Sequence, residues 1–351
     1  LARPPAPGGP RMMSRRALLW LSGAGAAALA AGLWLPTPTA LREAPEPGGL
    51  LFPGLAQRLD RVASVEFRRG EAKLALRRQG EVWVLPAMAD YPARSDRVRE
   101  TLTGLTELRL VEARTADPAL YDRLGVEDPT QPGTTAVLLR LLDSQGSAIA
   151  EVILGRRRMR TQGGLPEAVF IRRPNEAQSW LAEGRVLSDT DANLWVDRDI
   201  ANLPASTLRQ VLVQRAGEPE LTLGAKDGQL APIPPVAAAL DPVALDEIAR
   251  AFEVLTFTEV KPASRPTGEA LGSARFEFAD DLAITARLSR DGSGLWLRLA
   301  ATGGAAAQRL DARWQGWAYQ VGDWKEKAML PRLGELEAKP AAPPAGAPPA
   351  R

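Results

Sequence analysis

Residues 64–85 read SVEFRRGEAKLALRRQGEVWVL, and the fold follows from how this stretch is taken. Three short runs lie within it, 64–69 (SVEFRR), 73–78 (KLALRR) and 81–85 (EVWVL), separated at Gly70 and Gly80. In the first two runs apolar and polar residues alternate, which puts Val65 and Phe67, then Leu74 and Leu76, on one face of an extended chain. Side chains of a strand point to opposite faces in turn, so a sheet buried on one side leaves this period of two. Glycine between such runs marks a tight turn. The stretch is therefore expected to form antiparallel strands.

Downstream the period changes. Val98, Leu102, Leu105 and Leu108 recur at helical spacing, with Ser95 placed as the N-cap. A hairpin is expected over 136–142 and 149–154, turning through Asp143-Ser-Gln-Gly146. A strand over 168–172 and a short helix over 176–182 complete this half.

The order then repeats. Residues 210–215 (QVLVQR) and 220–223 (ELTL) match the opening hairpin. A helix carrying Leu245, Ile248, Phe252 and Leu255 follows, with Asp241 as cap and Pro242 in its first turn. A hairpin returns as 275–278 and 282–288, with 295–299 beyond it, and 317–321 and a short helix from Asp323 close the half. Val65 matches Val211, Leu102 matches Phe252, Leu105 matches Leu255 and Phe170 matches Tyr319, at about 146–150 residues apart. The expected fold is α+β: two similar lobes of antiparallel strands with packed helices, residues 50–202 and 203–336, joined near Leu203-Pro204.

The flanks differ in kind. Residues 17–35 (ALLWLSGAGAAALAAGLWL) carry no charge and are 19 long, enough to cross about 30 Å of hydrocarbon. Arg15 and Arg16 precede them, which orients residues 1–16 to the cytoplasm and the rest outward. Residues 1–11 precede Met12 and Met13 and read as an over-extended reading frame. The segment is expected to be a transmembrane anchor or uncleaved signal. A cleaved signal peptide is the rival, but a cut after Ala40 puts Pro38 where a small residue is wanted; Ser14-Arg15-Arg16 also resembles a twin-Arg export signal. Ala24, Ala28 and Gly32 form a small-residue stripe, which an Ala-rich segment produces by chance. Residues 36–49 are a Pro-rich tether, and 337–351 a Pro/Ala-rich tail expected to be disordered.

Composition removes chemistries. The chain has no Cys and no His, so thiol catalysis, thiolate or imidazole metal sites and a Ser–His–Asp triad are excluded. Lys+Arg 44 against Asp+Glu 42 leaves no global field for nucleic acid. Asp189-Thr-Asp191-Ala-Asn193 begins like a calcium loop, but Leu194 and Ile200 stand where Gly and a bidentate Glu are required, so Asp189 reads as a cap or turn former. Gly163-Gly164 and Gly292-Ser293-Gly294 lack the strand–loop–helix context or lysine of a phosphate cradle and read as turns. No pair of carboxylates stands out for hydrolysis. Arg156, Arg157, Arg158 and Arg160, with Arg172 and Arg173, form the candidate interaction patch for an anionic partner or lipid; the competing reading is a solvated loop. Trp296, Trp314, Trp317 and Trp324 read as core of the second lobe, ahead of a carbohydrate-stacking platform.

Leu51-Phe-Pro-Gly-Leu55, Trp83-Val-Leu85 followed by Tyr91-Pro92, Tyr121-Asp-Arg-Leu-Gly125, Leu194-Trp-Val-Asp-Arg198 and Trp317-Ala-Tyr319-Gln320 with Trp324 occur together. In these stretches the chain resembles the DUF4340 family of bacterial membrane-anchored proteins of uncharacterised function. The resemblance carries over no catalytic residue. It implies a link to ABC-type export systems, which some members accompany. The expectation is a non-enzymatic accessory or scaffold protein of an envelope complex, single-pass in the bacterial inner membrane with its bulk in the periplasm. It is expected to have a protein partner, no cofactor and no nucleic acid. A binding module for an envelope polymer or anionic lipid is the alternative, and a carboxylate-based hydrolase the third.

Overall fold

The computed structural model describes residues 47–158, 167–226, 228–292 and 294–338. The N-terminal apolar segment, most of the Pro-rich stretch, Arg160, Gly163-Gly164 and the tail from Lys339 lie outside them. The opening stretch forms β1 (Ser64–Arg69), β2 (Ala72–Gln79) and β3 (Val82–Leu85), and Gly70 and Gly80 take φ of 59° and 62° at the two turns. Val65, Phe67, Leu74 and Leu76 are all buried, as their alternation requires.

β4 (Tyr91–Pro92), β5 (Arg109–Ala113), β6 (Val137–Leu142), β7 (Ala148–Arg158), β8 (Ala168–Arg172) and β9 (Ser179–Glu183) complete a nine-stranded sheet. Its order is β4-β3-β2-β1-β6-β7-β8-β9-β5. β10 (Asp199–Ala201) then leads into β11 (Leu208–Arg215), β12 (Leu221–Lys226) and β13 (Gln229–Pro232). β10 pairs with β14 (Leu255–Thr256). β15 (Glu259–Pro262), β16 (Glu269–Phe278), β17 (Leu282–Asp291), β18 (Gly294–Gly303) and β19 (Trp317–Val321) build an eight-stranded sheet, β13-β12-β11-β16-β17-β18-β19-β15. With β4 set aside, the two orders are the same. In each sheet the first three strands form a meander, the next strand crosses to the far edge, and a second meander fills the space between.

Both halves also close alike. Ahead of each sheet a leading segment lies on the corner after the helix: Leu51 N–H donates to the Leu108 carbonyl (2.8 Å), and Leu203 N–H to that of Phe252 (3.0 Å). Behind each sheet a 3-10 turn returns to the residues before the helix. Arg94 N–H donates to the Trp195 carbonyl (2.7 Å) and Asp241 N–H to that of Leu336 (2.8 Å), beside the bridges Ala93–Val196 and Leu240–Glu337.

Between the halves runs Leu194-Trp-Val-Asp-Arg198. Trp195 is fully buried against Phe67 (centroids 5.0 Å apart), with its indole N–H on the Asp189 carbonyl (3.0 Å). Arg198 donates from Nε and Nη2 to the Phe257 carbonyl (2.9 and 2.7 Å). Asp197 accepts from Arg313 (2.8 Å), which also reaches the Asp199 carbonyl, and Trp314 Nε1 donates to the Ile200 carbonyl (3.0 Å). Tyr91, from the first sheet, sits edge-on to Phe257 (5.4 Å) and Trp317 (4.9 Å). One hydrophobic cluster consequently runs through both halves, from Val65 and Leu76 to Phe276 and Tyr319.

The helices are α1 (Ser95–Glu107), α2 (Tyr121–Leu124), α3 (Pro242–Ala249), α4 (Ala305–Trp314) and α5 (Lys325–Met329). Asp241 caps α3, accepting from Val243 N–H at 2.9 Å, as its position before Pro242 predicts. α1 departs from expectation: Ser95 is its first helical residue, and Arg94 before it makes no side-chain cap. The tertiary bond from Arg94 to Trp195 fixes the chain's path into the helix instead. The helix expected over 176–182 is strand β9, buried along nearly its whole length. A strand covered on both faces loses its alternation, and a short apolar run then has no period that separates strand from helix. Phe170 accordingly lies on β8, whose counterpart in strand order is β18, so Tyr319 on β19 is not its match. Asp189 also has a different role: Asp191 caps the 3-10 turn there, and Asp189 pairs with Arg97 at 3.1 Å. α3 ends at Ala249, leaving Phe252 in the corner beyond it and Leu255 on β14, so neither matches Leu102 or Leu105, which lie within α1.

Gly104 in α1 gives a sign test of this packing. Ala is the better helix former by about 1 kcal/mol. A Cβ at 104, however, would run into the carbonyl of Arg185, where the chain crosses the helix. We expect Gly104→Ala to lower stability by about 1–2 kcal/mol, since overpacking against backbone outweighs propensity. Urea unfolding followed by circular dichroism checks it, and a stabilised variant would contradict the crossing.

Candidate functional site

The candidate arginine patch divides into two groups. Arg172 is buried at the end of β8, where Nε donates to the Val126 carbonyl (3.0 Å) and Nη1 to those of Pro174 and Glu176 (both 3.3 Å). Its guanidinium lies over the Tyr121 ring at 4.6 Å. Arg173 donates to the Leu51 carbonyl (2.6 Å), pairs with Glu176 (3.2 Å) and covers the Phe52 ring at 5.8 Å. Both side chains hold the fold. Arg156, Arg157 and Arg158 continue along β7, Arg156 and Arg157 exposed, and Arg157 reaches the Val186 carbonyl at 2.6 Å. Arg160 lies outside the described residues.

β7 shifts register between Leu154 and Arg157, next to Gly155. A Cβ on Gly155 would strike the Leu124 and Gly125 carbonyls, so the glycine lets the α2 turn lie directly on the sheet. That turn seats a second, smaller core on the outer face of the first sheet: Tyr121, Val126, Ala136 and Ile153, with Leu124, Leu138 and Phe170. β6 and β7 are therefore apolar on both faces.

Beside this small core a cavity of about 490 Å³ opens, walled by Tyr121, Asp122, Glu127, Asp128, Gln131 and Arg172 among others. Tyr121 donates its hydroxyl proton to the Ala177 carbonyl (2.5 Å), fixing the ring under Arg172. Glu127 Oε1 accepts from Thr134 Oγ1 (2.7 Å) and Thr135 N–H (2.9 Å). Burial pushes the Glu127 carboxyl up, but those bonds and the Ala136 N–H outweigh it and hold its pKa below the usual range. Asp128 is lowered as well, first by the Thr130 backbone N–H and then by its hydroxyl. Both carboxyls are thus anionic at neutral pH, and neither is prepared to donate a proton as glycoside hydrolysis needs. Asp122, Glu127 and Asp128 thus line the cavity together with one guanidinium, that of Arg172. Among the described residues no group of three or more ligating side chains is arranged for a metal ion.

The tryptophans are mostly interior. Of the four in the second half, Trp296 and Trp314 are buried, Trp317 packs against Tyr91, and Trp324 alone is exposed, so these four form no flat stacking platform. Burial pushes the pKa of Tyr91 up; Tyr319, raised first by burial and then by the neighbouring Tyr91, shares a hydrogen bond with it. Of the cavity residues, the sequence singles out Arg172, in the basic patch, and the Tyr121–Gly125 motif, but not Glu127, Asp128 or Gln131. Their partners, Val126 for Arg172 and Ala177 for Tyr121, are 46 and 56 residues away along the chain, and no local pattern reports such pairs.

The family model described as a domain of unknown function, DUF4340, matches residues 83–273, from β3 through the first half of β16 and across the junction. No curated protein and no solved structure matches the chain.

Two outcomes test these assignments. Arg172→Ala should cost about 2–4 kcal/mol, because it strands three carbonyls around a buried site, whereas Arg156→Ala should change stability by less than about 0.5 kcal/mol. Chemical denaturation of both variants separates a framework arginine from a surface one. Glu127 has a lowered folded pKa, so its contribution is complete above the unfolded glutamate value and disappears as pH falls through the folded one. Glu127→Gln should therefore be less stable than the parent at pH 7, by roughly 1 kcal/mol, with the gap closing in acid. A gap that persists at pH 3 would show that the carboxylate charge is not the cause.

Proposed function

The chain belongs to the DUF4340 family, and from that premise we propose that it is a non-enzymatic accessory or scaffold protein of an envelope complex of the ABC-transporter kind. In this reading residues 17–35 anchor it in the bacterial inner membrane, residues 36–49 tether it, and two lobes that arose by tandem duplication stand in the periplasm. The uncharged 19-residue segment behind Arg15 and Arg16 supports the anchor. Equal strand order in the two sheets supports the duplication.

The observation that carries the scaffold reading is how the body takes hold of its own first residues. Gly48 N–H donates to the Leu110 carbonyl (2.6 Å), Leu110 N–H to that of Gly49 (2.9 Å) and Leu51 N–H to that of Leu108 (2.8 Å). Arg173 then clamps the Leu51 carbonyl, and Phe52 and Leu55 enter the core. A tether that joins a body at such a stapled edge transmits position, which is what a scaffold needs. The charged groups around the cavity serve this same framework, Arg172 through backbone carbonyls and Glu127 through the 134–136 turn.

Full-length chain at native expression, extracted in mild detergent, should co-purify with a companion envelope protein at fixed stoichiometry, and should stay in the membrane fraction through an alkaline wash. Recovery of the chain free of any companion, or its release by the wash, would count against the scaffold and the anchor respectively.

A further inference from the structure

The two halves meet head to tail. The closing end of the first half, meaning the loop before α1 and the returning segment at Trp195 and Val196, seats on the leading end of the second. Tyr91 enters among Phe257, Trp317 and Tyr319, and Asp197 pairs with Arg313. A contact between two different faces of similar units is heterologous, and such contacts do not close on themselves.

The second half has the same closing end. Leu240 and Asp241 stand where Ala93 and Arg94 do, with the bridge to Glu337 and the bond to Leu336 in place of Val196 and Trp195. No described residue covers it. The loop from β13 into α3 reads IPPVAAALDPV from residue 233 to 243, and Ile233 (57% exposed) and Val243 (65%) are among the most exposed large apolar side chains of the body. Pro232, Pro234 and Pro235 offer no N–H, so a further strand is not invited to pair there, and docking must go through side chains. Stacked repeats usually end in a polar capping face, and this end is apolar.

A matching surface exists at the other end of the same chain. The leading end of the first half presents β5, where a register shift after Leu110 turns Val111 outward at 44% exposure, beside the exposed Arg109. Glu337 is exposed at the closing end and Arg109 at the leading end, so the two ends carry opposite charges, as the two sides of the internal junction do. We propose that a second copy of this chain occupies the closing end of the second half, contributing its own leading end, so that copies associate head to tail. The proposal rests on the internal junction and does not depend on membrane attachment or on a transporter partner.

Complementation tests it. Ile233→Glu, combined with Val243→Glu, blocks the closing end and leaves the leading end intact. Val111→Glu does the reverse. All three positions are exposed, and unchanged thermal melts would confirm folding. Sedimentation velocity of the full chain in mild detergent should show concentration-dependent species beyond the dimer for the parent. Each variant alone should remain monomeric. An equal mixture of the two should recover a dimer and stop there, because only one productive pair of ends survives. A parent that stays monomeric, a variant that still assembles alone, or a mixture that fails to dimerise would each overturn the proposal.

Discussion

The two sheets act as one body because Arg198 places two N–H groups on the carbonyl of Phe257. That carbonyl lies in the corner between α3 and β15, where the chain is neither helix nor strand and has no ladder partner to offer. A buried acceptor without a partner costs about 1–3 kcal/mol, so the guanidinium supplies what regular structure cannot. Asp197, the residue before, turns the opposite way to Arg313. Five consecutive residues therefore give Trp195 to the first core, then one charge of each sign to the second half. The continuous hydrophobic cluster follows from this, since Tyr91 can reach Phe257, Trp317 and Tyr319 only if the halves stay in register.

The sheets manage their edges by different devices. β13 is short and ends in proline, and β15 ends at Pro262. The backbone edge of β5 at Arg109 and Leu110 is paired with residues 48–50, and β4 is only two residues long. Unpaired strand edges are templates for uncontrolled association, and these features blunt them. What is left open is a side-chain surface, the apolar loop 233–243. Specific association would therefore proceed through fitted side chains, as it does at the internal junction.

The cavity near Tyr121 and Arg172 shows how burial and charge are reconciled away from the main core. An arginine that is only 9% exposed is tolerated because three carbonyls and an aromatic face replace the water around its guanidinium. Glu127, half-buried, stays anionic for the same kind of reason, its Oε1 held by a hydroxyl and backbone N–H groups. These are devices for holding an irregular loop on the outer face of a sheet. They tie the α2 turn, and with it the wall of the cavity, to the loops around it.

The sequence by itself determines the strands whose faces differ, β1, β2, β16 and β17, because half-buried sheets write their burial as alternation. It determines the cap at Asp241 and the turns at Gly70 and Gly80, where the cause lies within two or three residues. It also excludes thiol and imidazole chemistry outright. The recurrence of elements across the two halves was legible, while the strand that matches Phe170 was not, since β9 is covered on both faces and has no period to read. Only the tertiary structure decided the arginines. Arg156, Arg157, Arg172 and Arg173 belong to one basic patch on paper, yet Arg172 and Arg173 end among backbone carbonyls while Arg156 lies exposed and Arg157, though exposed, reaches the Val186 carbonyl. A side chain's solvent is set by residues 46 or 122 positions away, and no local pattern encodes that distance.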